Sequence, residues 1–220
     1  MTGVRKVQNL SRKKIINSAI ILFASKGFDS TSTREICKHA GVNLSLISYY
    51  FKTKEGLYIS IIESVLNYGL KFIQEEIEKS NEIGKMTREE KIKLLFELLD
   101  KYISFIYSES VPNNFVILMI KEQTSSNSKF SNLYNEKIQI FYKAFRKILA
   151  SILGRTENDK TIIFQTSAIV AEILSFKFMT RAILTPLKQS AYTKEDLKLV
   201  RKIISENVKM SLEKLGIKPL

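Results

Sequence analysis

Apolar residues near the start of the chain recur three and four positions apart. From Ser11 they fall at Ile15, Ile16, Ala19, Ile20 and Phe23, one face of an amphipathic helix that ends at Lys26-Gly27 with the glycine as C-cap. The ten residues before it show no such period and read as a mobile basic arm. Ser32-Thr33-Arg34-Glu35 has the form of a capping box, and the short helix it opens runs to Ala40, where Gly41 stops it. Asn43 suits the N-cap of a third short helix carrying Ile47 and Phe51 four apart. Thr53 caps a longer fourth helix from Lys54 to about Lys79. Further helices are expected near 87–108, 112–124, 130–153, 158–185 and 193–214, with breaks at Gly84, Pro112, the polar stretch 124–128, Gly154 and Pro186. No alternating run with hairpin signals and no internal repeat occurs, so the predicted fold class is all-α.

The 220 residues are 45% apolar and 26% charged, enough to bury a core without disulfides or metals. One cysteine, Cys37, allows no intramolecular disulfide and leaves too few ligands for a zinc cluster. One histidine, His39, removes most histidine-based catalysis, and no glycine-rich loop cradles phosphate. The expectation is a protein that is not an enzyme and holds no metal or cofactor. Basic Arg12-Lys13-Lys14 before the apolar stretch 15–24 imitates an export signal. Asn17 and Ser18 interrupt that stretch, however, and Lys26-Gly27 stands where a cleavage site would lie. No apolar run approaches the ~18 residues that span a bilayer, so a cytoplasmic protein without a membrane partner is expected.

Charge changes the picture more than hydrophobicity does. The net charge is +13, and residues 1–54 hold ten Lys and Arg against only Asp29 and Glu35. A quarter of the chain therefore carries more than half of the excess. Its natural partner is an anion, either nucleic acid or a membrane surface. The membrane reading needs the Ile15, Ile16, Ile20 and Phe23 face exposed, whereas a folded DNA-binding unit buries it. An architectural DNA coater, bound by charge with little base discrimination, is the alternative to a sequence-specific regulator.

Three short helices with the turn Ala40-Gly41-Val42 match a helix-turn-helix unit. Val42, Ile47 and Phe51 hold the third helix to the first two. Leu44, Ser45, Leu46, Ser48, Tyr49 and Tyr50 are left for its outward surface, and none of the six is acidic. Cys37 reads as packing and His39 as an exposed helix residue.

At these residues the chain resembles a known family. Ile21-Leu22-Phe23, Gly27-Phe28, Thr31 to Ile36, Ala40-Gly41-Val42 and Tyr50 to Tyr58 are similar to the TetR family of bacterial transcriptional regulators over residues 9–65. Gly41 to Phe51 is closer to one branch, which often places a small polar residue where many members have tyrosine, here Ser48. The stretches around Lys121-Glu122-Gln123 and 150–154 resemble that branch too.

The resemblance implies a DNA-binding domain at 9–65, a ligand-binding and dimerisation domain at 66–220, and a third helix that enters the major groove of a double-stranded operator. Ser45 and Ser48 then hydrogen-bond base edges, and Leu44 and Leu46 meet thymine methyls or turn into the domain. Thr33, Tyr49, Tyr50 and Lys54 correspond to phosphate contacts, and Arg34 to a phosphate or a base-edge contact. A lysine in the first turn of a helix also opposes the macrodipole, which a docked anion would offset at Lys54.

The rest of the chain is aromatic-rich at Phe96, Leu99, Tyr102, Ile103, Ile106, Phe115, Met119, Phe141, Phe145, Phe164 and Phe176. These residues either fill the core or line the cavity for a small-molecule inducer that the resemblance implies. It also implies a homodimer through residues 160–184, with small Ala168, Ala171 and Ser175, and 193–214, with the stripe Leu197, Val200, Ile204, Val208 and Leu212. A monomer would have to expose that stripe or take it into its own core.

Overall fold

The computed structural model describes residues 2–124 and 130–217. Among the described residues there is no strand. The helices are α1 (Thr2–Lys26), α2 (Thr33–Ala40), α3 (Ser45–Phe51), α4 (Lys54–Phe72), α5 (Gln74–Ser80), α6 (Arg88–Ile106), α7 (Asn113–Thr124), α8 (Ser131–Leu153), α9 (Lys160–Phe178), α10 (Thr180–Leu187) and α11 (Lys194–Lys214), with one 3-10 turn at Ile83–Lys85. The polar stretch at 124–128 lies, beyond Thr124, outside the described residues.

Four expectations are corrected. α1 begins at Thr2, so the first residues continue the helix instead of forming an irregular arm. No proline interrupts them, and extending an existing helix avoids the cost of nucleation. The long fourth helix breaks at Ile73 (φ −110°, ψ 10°), and α5 starts anew at Gln74. Ile73 is fully buried, so packing fixes the kink where the local sequence shows no breaker. The helix expected at 158–185 is two helices that meet at Met179. Pro186 does not stop α10 but sits in its last turn, where it forfeits only one hydrogen bond; Lys188 in the left-handed region (φ 55°) makes the stop.

The chain packs as two compact units. Residues 1–67 with 112–135 form the first, and 68–111 with 136–220 form the second. In the first unit Ile15, Ala19, Phe23, Ile36, Ile47, Phe51, Leu57, Tyr58 and Ile61 are buried, so the apolar face of α1 is the core of this unit. That covers the face a membrane-surface role would need. Phe23, Phe28, Tyr58 and Phe130 form a ring cluster, with Tyr58 stacked on Phe130 at 4.3 Å. Such ring pairs each add about 0.5–1.5 kcal/mol beyond their buried area. α7 belongs here as well: Lys121 Nζ donates to the carbonyl oxygens of Ala24 and Ser25 in the last turn of α1, and Tyr58 on α4 donates to the Glu122 carboxylate.

In the second unit Tyr102, Phe105, Phe141 and Phe145 make a second ring cluster, with Phe105 and Phe141 stacked at 5.8 Å. α9 is long and apolar enough to cross a membrane by length and composition, with a mean hydropathy of 1.3, although no unbroken apolar run announces it. Ile162, Ile169, Val170 and Ile173 on it are buried, and its Glu172 accepts from Asn207 of α11 at 2.5 Å. On α11, Val200, Ile204, Val208 and Leu212 are buried against this chain's own α6 and α9. The stripe read as a dimer contact is thus core of the single chain. On these two helices the large apolar residues left exposed are Leu199 and Met210 of α11 and Ile163, Phe164 and Phe178 of α9.

Candidate nucleic-acid interface

α2 starts on a complete capping box. The Ser32 hydroxyl accepts from Glu35 N at 3.2 Å, and the Glu35 carboxylate accepts from Ser32 N at 3.0 Å. Lys26, at the end of α1, pairs with the same carboxylate at 2.7 Å. This Lys26 hydrogen bond first, then the Ser32 backbone bond, holds the Glu35 carboxyl down at about 2. α2 ends at Gly41 with φ +64°, a backbone region that only glycine enters cheaply. Val42 N donates to Cys37 O at 3.0 Å and closes the turn. Cys37 is buried, and burial pushes its thiol up, which suits a packing residue and not a reactive one. His39 is exposed as expected, with Nδ1 2.9 Å from the Ser18 hydroxyl.

The start of α3 is built by Asn43, one residue further from the helix than expected. Its Oδ1 accepts from Ser45 N at 2.9 Å and from the Ser45 hydroxyl at 3.0 Å, while Leu44 takes the N-cap position. Ile47 and Phe51 point into the core, and Val42 is half-buried beside them. The opposite surface presents Leu44, Ser45, Ser48 and Tyr49 to solvent, with Tyr49 62% exposed. Leu46 and Tyr50 are half-buried, and the Tyr50 ring meets Tyr49 edge-on at 4.9 Å. Of the six neutral side chains expected on the outward surface, four are exposed and two half-buried, and Leu44 does not turn inward.

The turn from α3 into α4 is tight. Lys52 has φ 67° and ψ −57°, and Thr53 N donates to Phe51 O at 2.8 Å across it. A γ-turn of this sense is rare and strained for a residue with a side chain. Gly56 lies against the same carbonyl, and a Cβ there would come within 2.1 Å of Phe51 O. The Thr53 hydroxyl accepts from Gly56 N at 3.0 Å and caps α4 as expected.

Thr33 is half-buried and Arg34 exposed at the start of α2. Lys54 has more to do than face an anion. Its Nζ donates to Phe28 O at 3.0 Å and Thr31 O at 3.1 Å, and it lies 4.2 Å above the Phe28 ring. The carbonyls offset the charge that the helix dipole opposes, so Lys54 also fastens α4 to the loop between α1 and α2. Arg12, on α1, donates to the Ser60 hydroxyl at 3.0 Å and covers the Phe51 ring at 5.3 Å.

The aromatic-rich ligand candidates divide between the units. Phe115 and Met119 are buried in the first, with α7. Leu99, Tyr102, Ile103, Phe141 and Phe145 are buried in the second, where the structure brings Tyr102, Phe141 and Phe145 together. Phe96 and Phe176 are half-buried, and Lys209 Nζ stands 5.7 Å over the Phe96 ring. Among the described residues no group of three His, Cys, Asp or Glu is placed to hold a metal. The sequence reading missed Lys121 and Glu122 as parts of the first unit. Their signal was the ion-forming pair at the end of an apolar helix.

Two family models match. "Bacterial regulatory proteins, tetR family" covers residues 15–61, and "HTH-type transcriptional dual regulator CecR, C-terminal domain" covers residues 92–215, more than half of the chain. The CecR transcriptional dual regulator of Shigella flexneri is 22% identical over 96% of this chain and 95% of its own. IcaR, the negative transcriptional regulator of the biofilm operon in Staphylococcus aureus (strain Newman), is 25% identical over 64% of this chain and 80% of its own. The transcriptional regulator FadR of Bacillus subtilis, solved in complex with stearoyl-CoA, has the same fold, with a TM-score of 0.56 and 22% identity over 88% of this chain and 95% of its own. With its capped helix-turn-helix and its CecR-type C-terminal domain, the chain belongs to the TetR family of DNA-binding transcriptional regulators.

Proposed function

We propose that the protein is a dimeric, sequence-specific repressor of the bacterial cytoplasm that leaves its operator when a small, largely apolar ligand binds the C-terminal domain. The observation that carries the reading is the outward face of α3. Leu44, Ser45, Ser48 and Tyr49 stand exposed and free of acids on a helix that Ile47 and Phe51 anchor. Hydroxyls at Ser45 and Ser48 suit base edges, Leu44 and Leu46 suit thymine methyls, and Thr33, Arg34, Tyr49, Tyr50 and Lys54 flank them for phosphate. The Ser45 hydroxyl keeps its acceptor lone pairs for DNA while it donates to Asn43.

The dimer contact is the face of α9 with exposed Phe164, Ala168 and Ala171, joined by Leu199 and Met210 of α11. Small residues there let two helices approach closely. The stearoyl-CoA held by FadR and the negative regulation by IcaR support an apolar effector and repression. A ligand that favours a dimer whose reading helices no longer stand one duplex turn, ~34–36 Å, apart shifts the population off DNA.

The test is fluorescence anisotropy of the protein with its own upstream intergenic duplex, a scrambled duplex and a salt series. A preference of roughly a thousandfold or more establishes specific binding. Equal affinities with a steep salt dependence would instead establish the architectural coater.

A further inference from the structure

The last turn of α1 ends on carbonyls that a helix leaves without partners of its own. Gly27 N, at a glycine with φ +86°, donates to Phe23 O at 2.9 Å. The next two carbonyls are taken by one side chain from far along the chain. Lys121 Nζ donates to Ala24 O and, at 3.4 Å, to Ser25 O, residues 97 and 96 positions away. A cation at a helix C-terminus also offsets the macrodipole. Lys121 lies in the stretch matched by the C-terminal family model, yet its helix α7 belongs to the first unit and packs on α1.

The connection from α1 to α2 is held in the same way. The Thr31 hydroxyl donates to Gly27 O at 2.7 Å and to Leu22 O at 3.4 Å. Lys54 Nζ donates to Phe28 O at 3.0 Å and to Thr31 O at 3.1 Å. With Lys121, these side chains cover carbonyls from Leu22 to Thr31. Next in the chain come the Ser32 cap and then Thr33 and Arg34, which flank the reading helix for phosphate. Lys26, one residue beyond Ser25, pairs with Glu35 of that cap at 2.7 Å. A binding constellation works only when its supporting groups hold it to about 0.5 Å. Where the end of α1 is held therefore decides where α2 presents Thr33 and Arg34. Thr31 and Lys54 act from inside the helix-turn-helix region, and Lys121 acts from α7.

We propose that Lys121 is a positioning residue for operator binding. It fixes the end of α1 and, through Lys26 and Glu35, the start of α2, and it does so without touching DNA. The inference rests on the reading of α2 and α3 as the surface that meets the operator. It adds a determinant of operator affinity that lies outside that surface and outside residues 15–61.

Fluorescence anisotropy with the upstream duplex tests this on the full chain, for wild type, Lys121→Met and Lys121→Arg, at a temperature where circular dichroism shows each folded. Lys121→Met is expected to lose tenfold or more in specific affinity with its salt slope unchanged. Lys121→Arg should recover most of the loss, because a guanidinium can donate to both carbonyls. Unchanged affinity in Lys121→Met overturns the proposal. So does a loss in which the salt slope also falls by about 1, which would make Lys121 a phosphate contact.

Amide hydrogen exchange without DNA is the second arm. Gly27, Glu35 and Ile36 should exchange tenfold or more faster in Lys121→Met, while Ile61 and Ile62 in the core of α4 stay as they are. Equal acceleration at all five sites would mean general destabilisation and overturns the positioning role. Should Lys121→Met fail to fold, Lys121→Gln, shorter and uncharged but still a donor, gives the same readings. A wild type without operator preference overturns the functional reading instead, and exchange alone then decides whether Lys121 places the start of α2.

Discussion

The Tyr58 hydroxyl donates to the Glu122 carboxylate in the core of the first unit, and this bond joins α4 to α7. Burial, then the bond itself and the charge of Glu122, push the Tyr58 phenol far above its ordinary range. Four positions back along α4, at Lys54, and one back along α7, at Lys121, the same two helices are fastened to other parts of the unit. α7 is thus a brace of the DNA-binding unit, although the chain reaches it only after α5 and α6.

Removing one partner of a buried hydrogen bond costs more than the bond contributes, because the other is left unsatisfied. Glu122→Ala and Tyr58→Phe are each expected to lower stability, Glu122→Ala by about 1–3 kcal/mol. A double-mutant cycle by urea unfolding should show the two effects to be strongly non-additive. Additive losses would mean that the pair is not coupled.

Gly56 and Gly41 separate two reasons for a glycine. Gly56→Ala drives a Cβ into Phe51 O, a backbone atom that cannot swing aside, so the turn between α3 and α4 must open. A loss of about 2 kcal/mol or more is expected, with weakened operator binding at temperatures where the chain remains folded. Gly41→Ala meets open space and suffers only from φ +64°, a cost of about 1–2 kcal/mol. Thermal unfolding compares them, and a harmless Gly56→Ala would contradict the close approach.

Acid should loosen the start of α2 before the rest of the unit. The Glu35 carboxyl lies at about 2 when folded, below its ordinary value near 4.3. A lowered carboxyl stabilises the fold fully above its unfolded pKa and loses that contribution as pH falls through the folded value. The window is therefore pH ~4 down to ~2. Lys26→Met removes the largest cause, so NMR titration of Glu35 should move up toward its ordinary value. An unmoved titration would show that Lys26 does not hold it.

Arg34 has two possible contacts, and one variant decides between them. If it meets phosphate, Arg34→Ala weakens all duplexes alike and reduces the salt slope by about 1. If it meets a base edge, the loss is about 1–3 kcal/mol and specificity relaxes at one position. Ser48→Ala should relax specificity as well, measured against a set of single-base operator variants.

Phe164, 72% exposed on α9, carries the proposed dimer contact. Phe164→Glu is expected to shift sedimentation toward the monomer and to weaken binding to a two-half-site operator, while an isolated half-site is bound as before. A dimer that persists unchanged would move the contact elsewhere.

Local chemistry made much of the reading head legible. The capping box at Ser32 and Glu35, the positive φ at Gly41 and the four-residue spacing of Ile47 and Phe51 depend on residues within one or two turns of each other. Their effect on the backbone is the same wherever the rest of the chain goes. The charge excess over residues 1–54 also survives folding, because nearly all of those side chains must stay hydrated.

What the tertiary structure alone decided are choices among equally plausible partners at long sequence separation. Periodicity shows that Val200, Ile204, Val208 and Leu212 form a stripe, but a stripe has no label saying whether it faces its own chain or a second copy. It faces its own α6 and α9. Lys54 looks like a free cation from its neighbours in sequence, yet it caps carbonyls 23 and 26 residues away. Helix α7 reads as one more apolar segment until Lys121 and Glu122 find α1 and α4, and Glu76 reads as one more surface glutamate until α5 turns it inward. Sequence period fixes which side chains share a face; only the packed chain fixes what that face meets, because apolar contact is non-directional and polar partners are set by geometry that the local backbone does not contain.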